Sequence, residues 1–272
     1  MDKIGFLGSG NMAEAIINGL LSAKLYKPQN IFASDIRAER IKHFQQEYKI
    51  ITLDTNEALA QKVDILVLSV KPQQIINALN SIKGSLKKDS LVISIAAGIK
   101  TEQITAALGD IPVVRVMPNT PALISQGASA LFANQKAKTM LEKVAKIFDA
   151  VGKTVVVEDE NLIDAVTAVS GSGPAYYFLL TEEIIKAALK LGLTENVAKK
   201  LVLQTAKGAA MLAEEADKKG QSPGKLRQNV TSPGGTTEAA MKKFQENKFD
   251  DIVAVAIKAA CERSKELSKN IE

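Results

Sequence analysis

The sequence predicts an α/β domain, with a mostly parallel sheet and helices on both faces, followed by an all-α part. In the first half of the 272 residues, short apolar runs alternate with amphipathic stretches, which is typical of repeated βαβ units. Residues 64–70 form a near-continuous apolar run, as expected for a strand that is covered on both faces. After about residue 161, long alanine-rich helical patterns replace the strands. We place the boundary after Glu158, which gives domains 1–158 and 159–272.

The elements follow in a regular order. Strands are predicted at short apolar runs, and helices where apolar residues recur every three or four positions. The predicted strands are residues 3–8, 30–34, 50–53, 64–70, 90–96, 113–117, 128–132 and 154–157. The predicted helices of the first domain are residues 11–23, 37–48, 55–61, 73–82, 102–108 and 135–151. In the second domain, helices are predicted over 162–169, 175–191, 195–216 and 251–267, and a helical pattern also resumes from Glu238.

Composition argues against several classes of function. Apolar residues make up 46% and charged residues 24%, which is ordinary for a soluble globular protein. The net charge of +5 is spread along the chain, and tryptophan is absent, so nucleic-acid binding is not expected. No apolar run approaches the roughly 20 residues of a membrane span, and the first residues lack the apolar core of a signal peptide. Cys261 is the only cysteine, which excludes an internal disulfide and fits a cytoplasmic location.

A glycine-rich segment near the start predicts a dinucleotide site. Gly8, Gly10 and Ala13 form a GxGxxA pattern between a predicted strand and a predicted helix, which is the context that the dinucleotide fingerprint requires. Gly8 permits the tight turn, Gly10 lets the backbone approach a pyrophosphate, and Ala13 lets helix and strand pack closely. The alternative is a tight turn that binds no ligand.

The end of the second strand normally decides between NAD and NADP. Asp35 could accept hydrogen bonds from a ribose 2′-hydroxyl, which would favour NAD(H). Ser34, Arg37 and Arg40 could instead surround a 2′-phosphate. We predict NADP(H), with NAD(H) as the alternative. Arg37 and Arg40 could also belong to a solvated helix face.

Two further turns follow strands that should end at the cofactor cleft, at residues 70–72 and 96–98. Their small residues would leave room for a nicotinamide ring. Lys71 could contact the cofactor or be an exposed turn charge. Asn56 could cap the helix that begins there or face the adenine ribose.

Three polar segments follow in the rest of the chain. Residues 115–121, Arg-Val-Met-Pro-Asn-Thr-Pro, predict a rigid polar loop, or only a turn. Residues 170–176, Ser-Gly-Ser-Gly-Pro-Ala-Tyr, lie between two predicted helices, and the glycines would allow close backbone approach. Residues 231–237, Thr-Ser-Pro-Gly-Gly-Thr-Thr, predict a turn into a helix N-terminus, whose free N–H groups and dipole attract a carboxylate.

These motifs occur together, in one order and at compatible spacing, in a known family. The N-terminal Gly-Phe-Leu-Gly-Ser-Gly-Asn-Met, the Val-Lys-Pro turn and the three polar segments closely resemble the pyrroline-5-carboxylate reductases, the last enzymes of proline synthesis. The resemblance covers nearly the whole chain, and its last two motifs are highly specific. It implies a Rossmann domain followed by a helical domain that builds a homodimer, often within larger oligomers. It also implies hydride transfer from NAD(P)H to the C=N carbon of 1-pyrroline-5-carboxylate, giving L-proline.

The resemblance also implies the site residues. Those expected to contact the cofactor are Gly8, Ser9, Gly10, Asn11, Met12, Ser34, Asn56, Val70, Lys71 and Ala97, to which the residue pattern adds Arg37. Those expected to form the substrate pocket are Glu160, Asn229, Ser232, Gly235, Thr236 and Thr237. Glu160 could instead be an acid at a helix N-terminus.

Thr237 is the candidate catalytic residue, because its hydroxyl could hydrogen-bond the ring nitrogen and relay a proton. His43 is the only histidine and falls in a helix that should cover the sheet, so a histidine acid is not expected. Cys261 lacks a partner base, and no residue set has metal-ligand spacing. Two other functions stay open: a hydroxy-acid reductase with Lys71 or another lysine as the acid, and a regulator that senses NADP without turnover.

Overall fold

The computed structural model describes residues 2–269 and is built around an eight-stranded sheet. The strands are β1 (Ile4–Leu7), β2 (Ile31–Ser34), β3 (Ile51–Thr52), β4 (Ile65–Leu68), β5 (Leu91–Ser94), β6 (Val113–Met117), β7 (Gly127–Ala133) and β8 (Gly152–Val156). Their spatial order is β3-β2-β1-β4-β5-β6-β7-β8. The first six strands of this row pair in parallel, β7 is antiparallel to β6, and β8 is parallel to β7. The predicted, mostly parallel sheet is confirmed.

Helices connect the strands and continue beyond them. They are α1 (Asn11–Ser22), α2 (Ala38–Tyr48), α3 (Asn56–Lys62), α4 (Ile75–Ser81), α5 (Thr101–Leu108), α6 (Leu141–Asp149), α7 (Leu162–Val166), α8 (Gly173–Lys190), α9 (Glu195–Asp217), α10 (Pro223–Asn229), α11 (Thr236–Glu246) and α12 (Phe249–Lys269). Short 3₁₀ segments cover Pro28–Asn30, Pro72–Gln74, Thr120–Ile124 and Gln135–Met140, and a π-helical turn covers Thr167–Gly171.

Each face of the sheet has its own apolar core. One face packs against α1, α2 and α6, with Ile16, Phe44 and Phe148 fully buried there. The other face packs against α3, α4 and α5, with Leu59 and Leu79 among its buried residues. Because both faces are covered, all four residues of β1, β2, β4 and β5 are buried, which explains their continuous apolar runs.

The chain divides into two compact units. The first contains residues 1–174 and 259–272, and the second contains residues 175–258. The predicted boundary after Glu158 marks the end of the strands, whereas the first unit continues through α7 and the π-helical turn. The reason is packing: Ile163 and Ala168 are fully buried, and the hydroxyl of Ser264 near the end of α12 donates to the buried carboxylate of Asp164 at 2.7 Å.

The second unit is helical throughout, as predicted. It contains most of α8, all of α9, α10 and α11, and the first part of α12. Within residues 175–258, the buried apolar side chains are those of Ala198 and Ala216. Large apolar side chains are exposed instead, including Phe178 at 66% and Val255 at 68%. A helical unit that leaves this much apolar surface uncovered has the character of an interface.

Three local features differ from the predictions. The predicted helix 135–151 starts as the 3₁₀ segment Gln135–Met140, whose first turn is capped by the side chain of Asn134. The predicted gap at residues 170–174, between the predicted helices 162–169 and 175–191, is partly filled by the π-helical turn Thr167–Gly171, which leads almost directly into α8. Helix α10 was not predicted, although Pro223 at its first position and the Ser222 side chain as its cap are recognisable signals.

Candidate active site

The glycine-rich turn between β1 and α1 is open to a ligand. Gly8 has a φ of +97° and donates its N–H to the carbonyl of Ser34 at 2.8 Å. Gly10 stands at the N-cap of α1, where it offers no side chain to the first-turn N–H groups, and a Cβ there would meet nothing within 4 Å. Ala13 is fully buried against the sheet. This arrangement can hold an anion at the positive end of α1.

The turn lies where the strand order reverses. β1 pairs with β2 on one side and with β4 on the other, so that Leu7 is opposite both Ser34 and Leu68. In open α/β sheets, ligands bind at the carboxyl ends of the strands at such a switch point. The hydroxyl of Ser69, just after β4, donates to the carbonyl of Gly8 at 2.6 Å and so joins the two edges of this crevice.

Asp35, at the end of β2, binds the glycine-rich turn. Its carboxylate accepts the backbone N–H of Ser9 at 2.7 Å, the Ser9 hydroxyl at 2.8 Å and three donors of Arg37 at 2.9–3.0 Å. Burial alone would raise the pKa of Asp35, but the hydrogen bonds from Arg37 and Ser9 outweigh it and hold this pKa well below its usual range. Both oxygens of Asp35 are therefore committed within the chain.

Arg40 also holds the turn. Its Nε donates to the carbonyl of Ser9 at 2.7 Å, and its Nη2 pairs with Glu14 at 2.5 Å. Its side chain is 21% exposed, so the proposed solvated helix face is wrong for Arg40. Arg37 is 49% exposed although it is paired with Asp35. Of the two arginines, Arg37 is therefore the one that solvent or a ligand can reach.

His43 belongs to the same polar group. Its Nε2 lies 2.6 Å from Glu14 Oε1, and the hydroxyl of Tyr48 donates to that oxygen at 3.0 Å. Burial would raise the pKa of Glu14, but the hydrogen bonds from Arg40, His43 and Tyr48 together lower it. The histidine thus lies in α2, as predicted, and its ring is committed to a structural carboxylate.

The other predicted cofactor residues differ in their exposure. The Ser34 hydroxyl is buried and donates to Asn56 Oδ1 at 2.8 Å, and Asn56 donates in turn to Ser81 at 3.0 Å. The proposal that Asn56 caps α3 is wrong, because Thr55 accepts the N–H of Ala58 and is the cap. The remaining predicted positions are all at least partly exposed: Asn11, Met12, Val70, Lys71 and Ala97.

Two of the polar motifs contact each other. The side-chain amide of Asn119 donates to the carbonyl and the hydroxyl of Ser170, both at 3.2 Å, while its oxygen accepts the N–H of Ala128 at 2.9 Å. A Cβ on Gly171 would lie 2.4 Å from the Met117 methyl group. The loop after β6 and the π-helical turn therefore pack against each other. This contact explains why an asparagine is needed at position 119 and a glycine at position 171.

Glu160 lies away from solvent and makes structural contacts. Its carboxylate accepts the N–H and the hydroxyl of Thr101, each at 2.8 Å, and lies 3.3 Å from Nη1 of Arg115. Glu160 therefore accepts hydrogen bonds at a helix N-terminus, which was the alternative to a place in the substrate pocket. The helix concerned is α5, which begins at Thr101. Arg115 and Thr101 were missed as members of this group. A charged residue inside the apolar strand Val-Val-Arg-Val-Met was the signal that could have revealed it.

The hydroxyl-rich turn belongs to the second unit. Helix α11 begins at Thr236, so that Thr236 and Thr237 occupy its first turn, and Gly234 has a φ of +72°. The N–H of Gly234 donates to the carboxylate of Glu238, four residues later in the chain, at 2.8 Å. Among the described residues, the hydroxyls of Ser232, Thr236 and Thr237 have no hydrogen-bond partner, and Asn229 is exposed at the end of α10.

No helix between residues 2 and 269 is both long and apolar enough to cross a membrane. The same residues contain no group of three or more histidine, cysteine, aspartate or glutamate side chains arranged to hold a metal ion.

Comparison with known proteins gives consistent matches over the whole chain. The family model for pyrroline-5-carboxylate reductase dimerisation matches residues 160–267, and the model for coenzyme F420-dependent NADP oxidoreductases matches residues 3–98. A curated pyrroline-5-carboxylate reductase from Pseudomonas aeruginosa is 45% identical over 99% of this chain and 98% of its own.

Solved structures agree. A pyrroline-5-carboxylate reductase from Coxiella burnetii superposes with a TM-score of 0.91 at 40% identity, over 98% of each chain. A pyrroline carboxylate reductase from Plasmodium falciparum, solved with NADP bound, gives a TM-score of 0.87 at 34% identity, again over 98% of each chain.

Proposed function

The chain belongs to the pyrroline-5-carboxylate reductase family, and we propose that it reduces 1-pyrroline-5-carboxylate to L-proline with NAD(P)H, in the final step of proline synthesis. It is an NAD(P)H-dependent oxidoreductase by this membership. The observation that carries the proposal is the open glycine-rich turn at the switch point, in a chain whose whole length matches these reductases.

The first unit contains residues that fit a dinucleotide. The empty space beside Gly10 and the uncapped first turn of α1 suit a pyrophosphate, and the predicted contact residues Gly8, Asn11 and Met12 surround that point. Ser9 acts differently from its neighbours, because it is fully buried and both of its donors are held by Asp35. We infer that Ser9 shapes the turn. When bound, the cofactor supplies the hydride.

We infer a preference for NADP(H), with NAD(H) as the weaker cofactor. Asp35 would have to release Ser9 or Arg37 before it could accept a ribose 2′-hydroxyl. Arg37 presents a half-exposed guanidinium at the end of β2, where it pairs with Asp35 through Nε and Nη2 and where a 2′-phosphate could bind its remaining donors.

Replacement of Arg37 by alanine tests this preference. We expect the Kd for NADPH to rise by about 10- to 100-fold, the usual worth of a charge-assisted pair, while the Kd for NADH changes little. Fluorescence titration with both cofactors measures the two constants. Arg263→Ala, which removes another exposed arginine, should leave both unchanged. An equal loss for NADH and NADPH would contradict the role of Arg37.

The proposed substrate pocket uses the hydroxyl-rich turn. The N–H groups and hydroxyls of Ser232 and Thr236 would hold the substrate carboxylate, with Asn229 and Gly235 nearby. The N–H of Gly235 itself donates to the Ser232 carbonyl at 3.0 Å and shapes the turn. Thr237 would donate a hydrogen bond to the ring nitrogen and relay a proton from water. A threonine hydroxyl is a poor acid, so most of the acceleration comes from positioning and from preorganised dipoles. The family resemblance also places Glu160 in this pocket.

Activity can be tested directly by following NADPH oxidation. We expect absorbance to fall with 1-pyrroline-5-carboxylate and to stay flat with three- and four-carbon keto acids or without an acceptor. Turnover of the keto acids alone would favour a hydroxy-acid reductase. Flat traces throughout, with NADPH still bound, would favour a sensor. The cytoplasmic location stays a prediction that rests on the lone Cys261.

The chain self-associates through its matched dimerisation region, and we propose a homodimer or a larger assembly of dimers. The exposed apolar side chains of residues 175–258 support this, because a monomer would leave them in water. Sedimentation equilibrium should give at least twice the 29.1 kDa mass of the chain. A single 29.1 kDa species at micromolar concentration would contradict the proposal.

A further inference from the structure

The sheet contains a buried arginine whose positive charge and hydrogen-bond donors are only partly paired. Arg115 on β6 is 2% exposed. Its Nη1 lies 3.3 Å from the carboxylate of Glu160. Its Nη2 is also buried but has no hydrogen-bond partner, and no other buried side-chain nitrogen or oxygen among the described residues lacks one. A buried charge in this state is costly, and a well-packed apolar residue would usually be at least as stable. Its presence therefore suggests a role other than stability.

The ion pair holds a particular loop. Glu160 also accepts both donors of Thr101, the first residue of α5. Residues 95–100 connect this point to the end of β5, where Ser94 is opposite Arg115 in the register. The loop is thus fixed to the sheet at one end and to Glu160 at the other. Its residues Ala96 and Ile99 are buried, whereas Ala97 is partly exposed.

Ala97 lies at the carboxyl end of the sheet, in the loop that follows β5, the strand next to β4. This is the edge where the glycine-rich turn and Val70 lie, and where a cofactor binds in open α/β sheets. A shift of the loop would move Ala97 toward or away from that edge. The Arg115–Glu160–Thr101 group is the charged connection at the far end of this loop. Neutral hydrogen bonds of Ala96 to Ser94 and of Lys100 to Gln103 also belong to the loop.

We propose that Arg115 and Glu160 are positioning residues, which hold the loop of Ala97 in place for the nicotinamide end of the cofactor. The proposal rests on the cofactor-binding part of the proposed function. In this proposal, Glu160 holds the loop by accepting both hydrogen bonds of Thr101. The family resemblance had implied a contact with the substrate instead. Loss of the group should weaken binding of NADPH without a matching loss of stability.

The test removes both charges together, because a lone buried charge would destabilise the fold. We expect the double variant Arg115→Met/Glu160→Gln to keep a thermal midpoint close to that of the parent. It should bind NADPH about tenfold more weakly, because the loop of Ala97 is no longer held in place and has to be ordered on binding. The matched control is Lys146→Met/Glu142→Gln on α6, which removes an exposed pair and should leave the Kd for NADPH unchanged. The Kd is measured by fluorescence titration without any imine, so it does not depend on the reductase activity.

Three results would overturn the proposal. An unchanged Kd for NADPH with a raised KM for the imine would return Glu160 to the substrate pocket. An unchanged Kd for NADPH together with an unchanged KM for the imine would mean that the group is purely structural. The same would follow if the control variant Lys146→Met/Glu142→Gln lost as much affinity for NADPH as the double variant. If the double variant fails to fold, Thr101→Val decides the question. This change leaves both charges and the fold in place and should still raise the Kd several-fold, and an unchanged Kd would refute the proposal.

Discussion

Replacement of Thr237 by valine is expected to lower kcat by about 100-fold, the usual cost of one hydrogen-bond donor at a reacting atom. Valine keeps the shape of the side chain and its place in the first turn of α11, but it removes the hydroxyl. That hydroxyl has no partner among the described residues, so its loss breaks no structural bond. Binding of NADPH should change little. Steady-state kinetics and a separate cofactor titration measure the two effects.

Thr231→Val is the matched control, since Thr231 lies in the same turn and bonds the carbonyl of Arg227 at 2.7 Å. It should cost some stability and little turnover. The placement of Thr237 in the pocket would be contradicted if its variant lost NADPH affinity and turnover equally, or if the Thr231 variant lost as much turnover.

Replacement of Gly8 by alanine should weaken NADPH binding by about 100-fold and lower the free energy of unfolding by about 2–4 kcal/mol, because it forces a side chain into a strained conformation. The φ of +97° disfavours alanine, and its Cβ would come within 2.9 Å of the Ser69 carbonyl oxygen. The turn would have to move, and with it the N–H groups of α1. Thermal unfolding and cofactor titration report the two losses.

Gly84→Ala is the control that separates the effect of backbone strain on stability from the effect on the cofactor site. Gly84 also has a positive φ, of +77°, but a Cβ there would meet nothing within 4 Å. We expect a loss of about 1 kcal/mol in stability, the cost of a left-handed non-glycine residue, with NADPH binding unchanged. A similar loss of affinity in both variants would mean that Gly8 acts through general stability.

The strands and helices could be predicted because their signals are local. The fully buried run at β4 and the period of α1 each follow from side chains that must face one core or two. The glycine-rich turn was equally clear, because Gly8 and Gly10 are needed by the backbone itself. The fold class and the start of the cofactor site were therefore visible in the sequence.

The pairings between distant polar groups could not be predicted in this way. The sequence offered Asp35 as a ribose ligand beside the alternative of a 2′-phosphate site, and did not reveal its bonds to Ser9 and Arg37. The family resemblance placed Glu160 in the substrate pocket, and the sequence did not reveal its bonds to Thr101 and Arg115. Apart from the local pair of Asp35 and Arg37, these bonds join residues far apart in the chain, and no periodicity marks them. The antiparallel direction of β7 was not predicted, although the short connection 118–126 after β6 is a signal for it, because a parallel pair needs a longer crossover.

We propose that the turn at residues 231–237 binds the substrate beside the cofactor. A crystal structure of the oligomer with NADP and L-proline tests it most directly. We expect the Thr237 hydroxyl within about 3 Å of the proline nitrogen, and the ring carbon that receives the hydride about 3.5 Å from the reactive carbon of the nicotinamide. Proline bound elsewhere, with this turn remote from the nicotinamide in every subunit, would contradict the account.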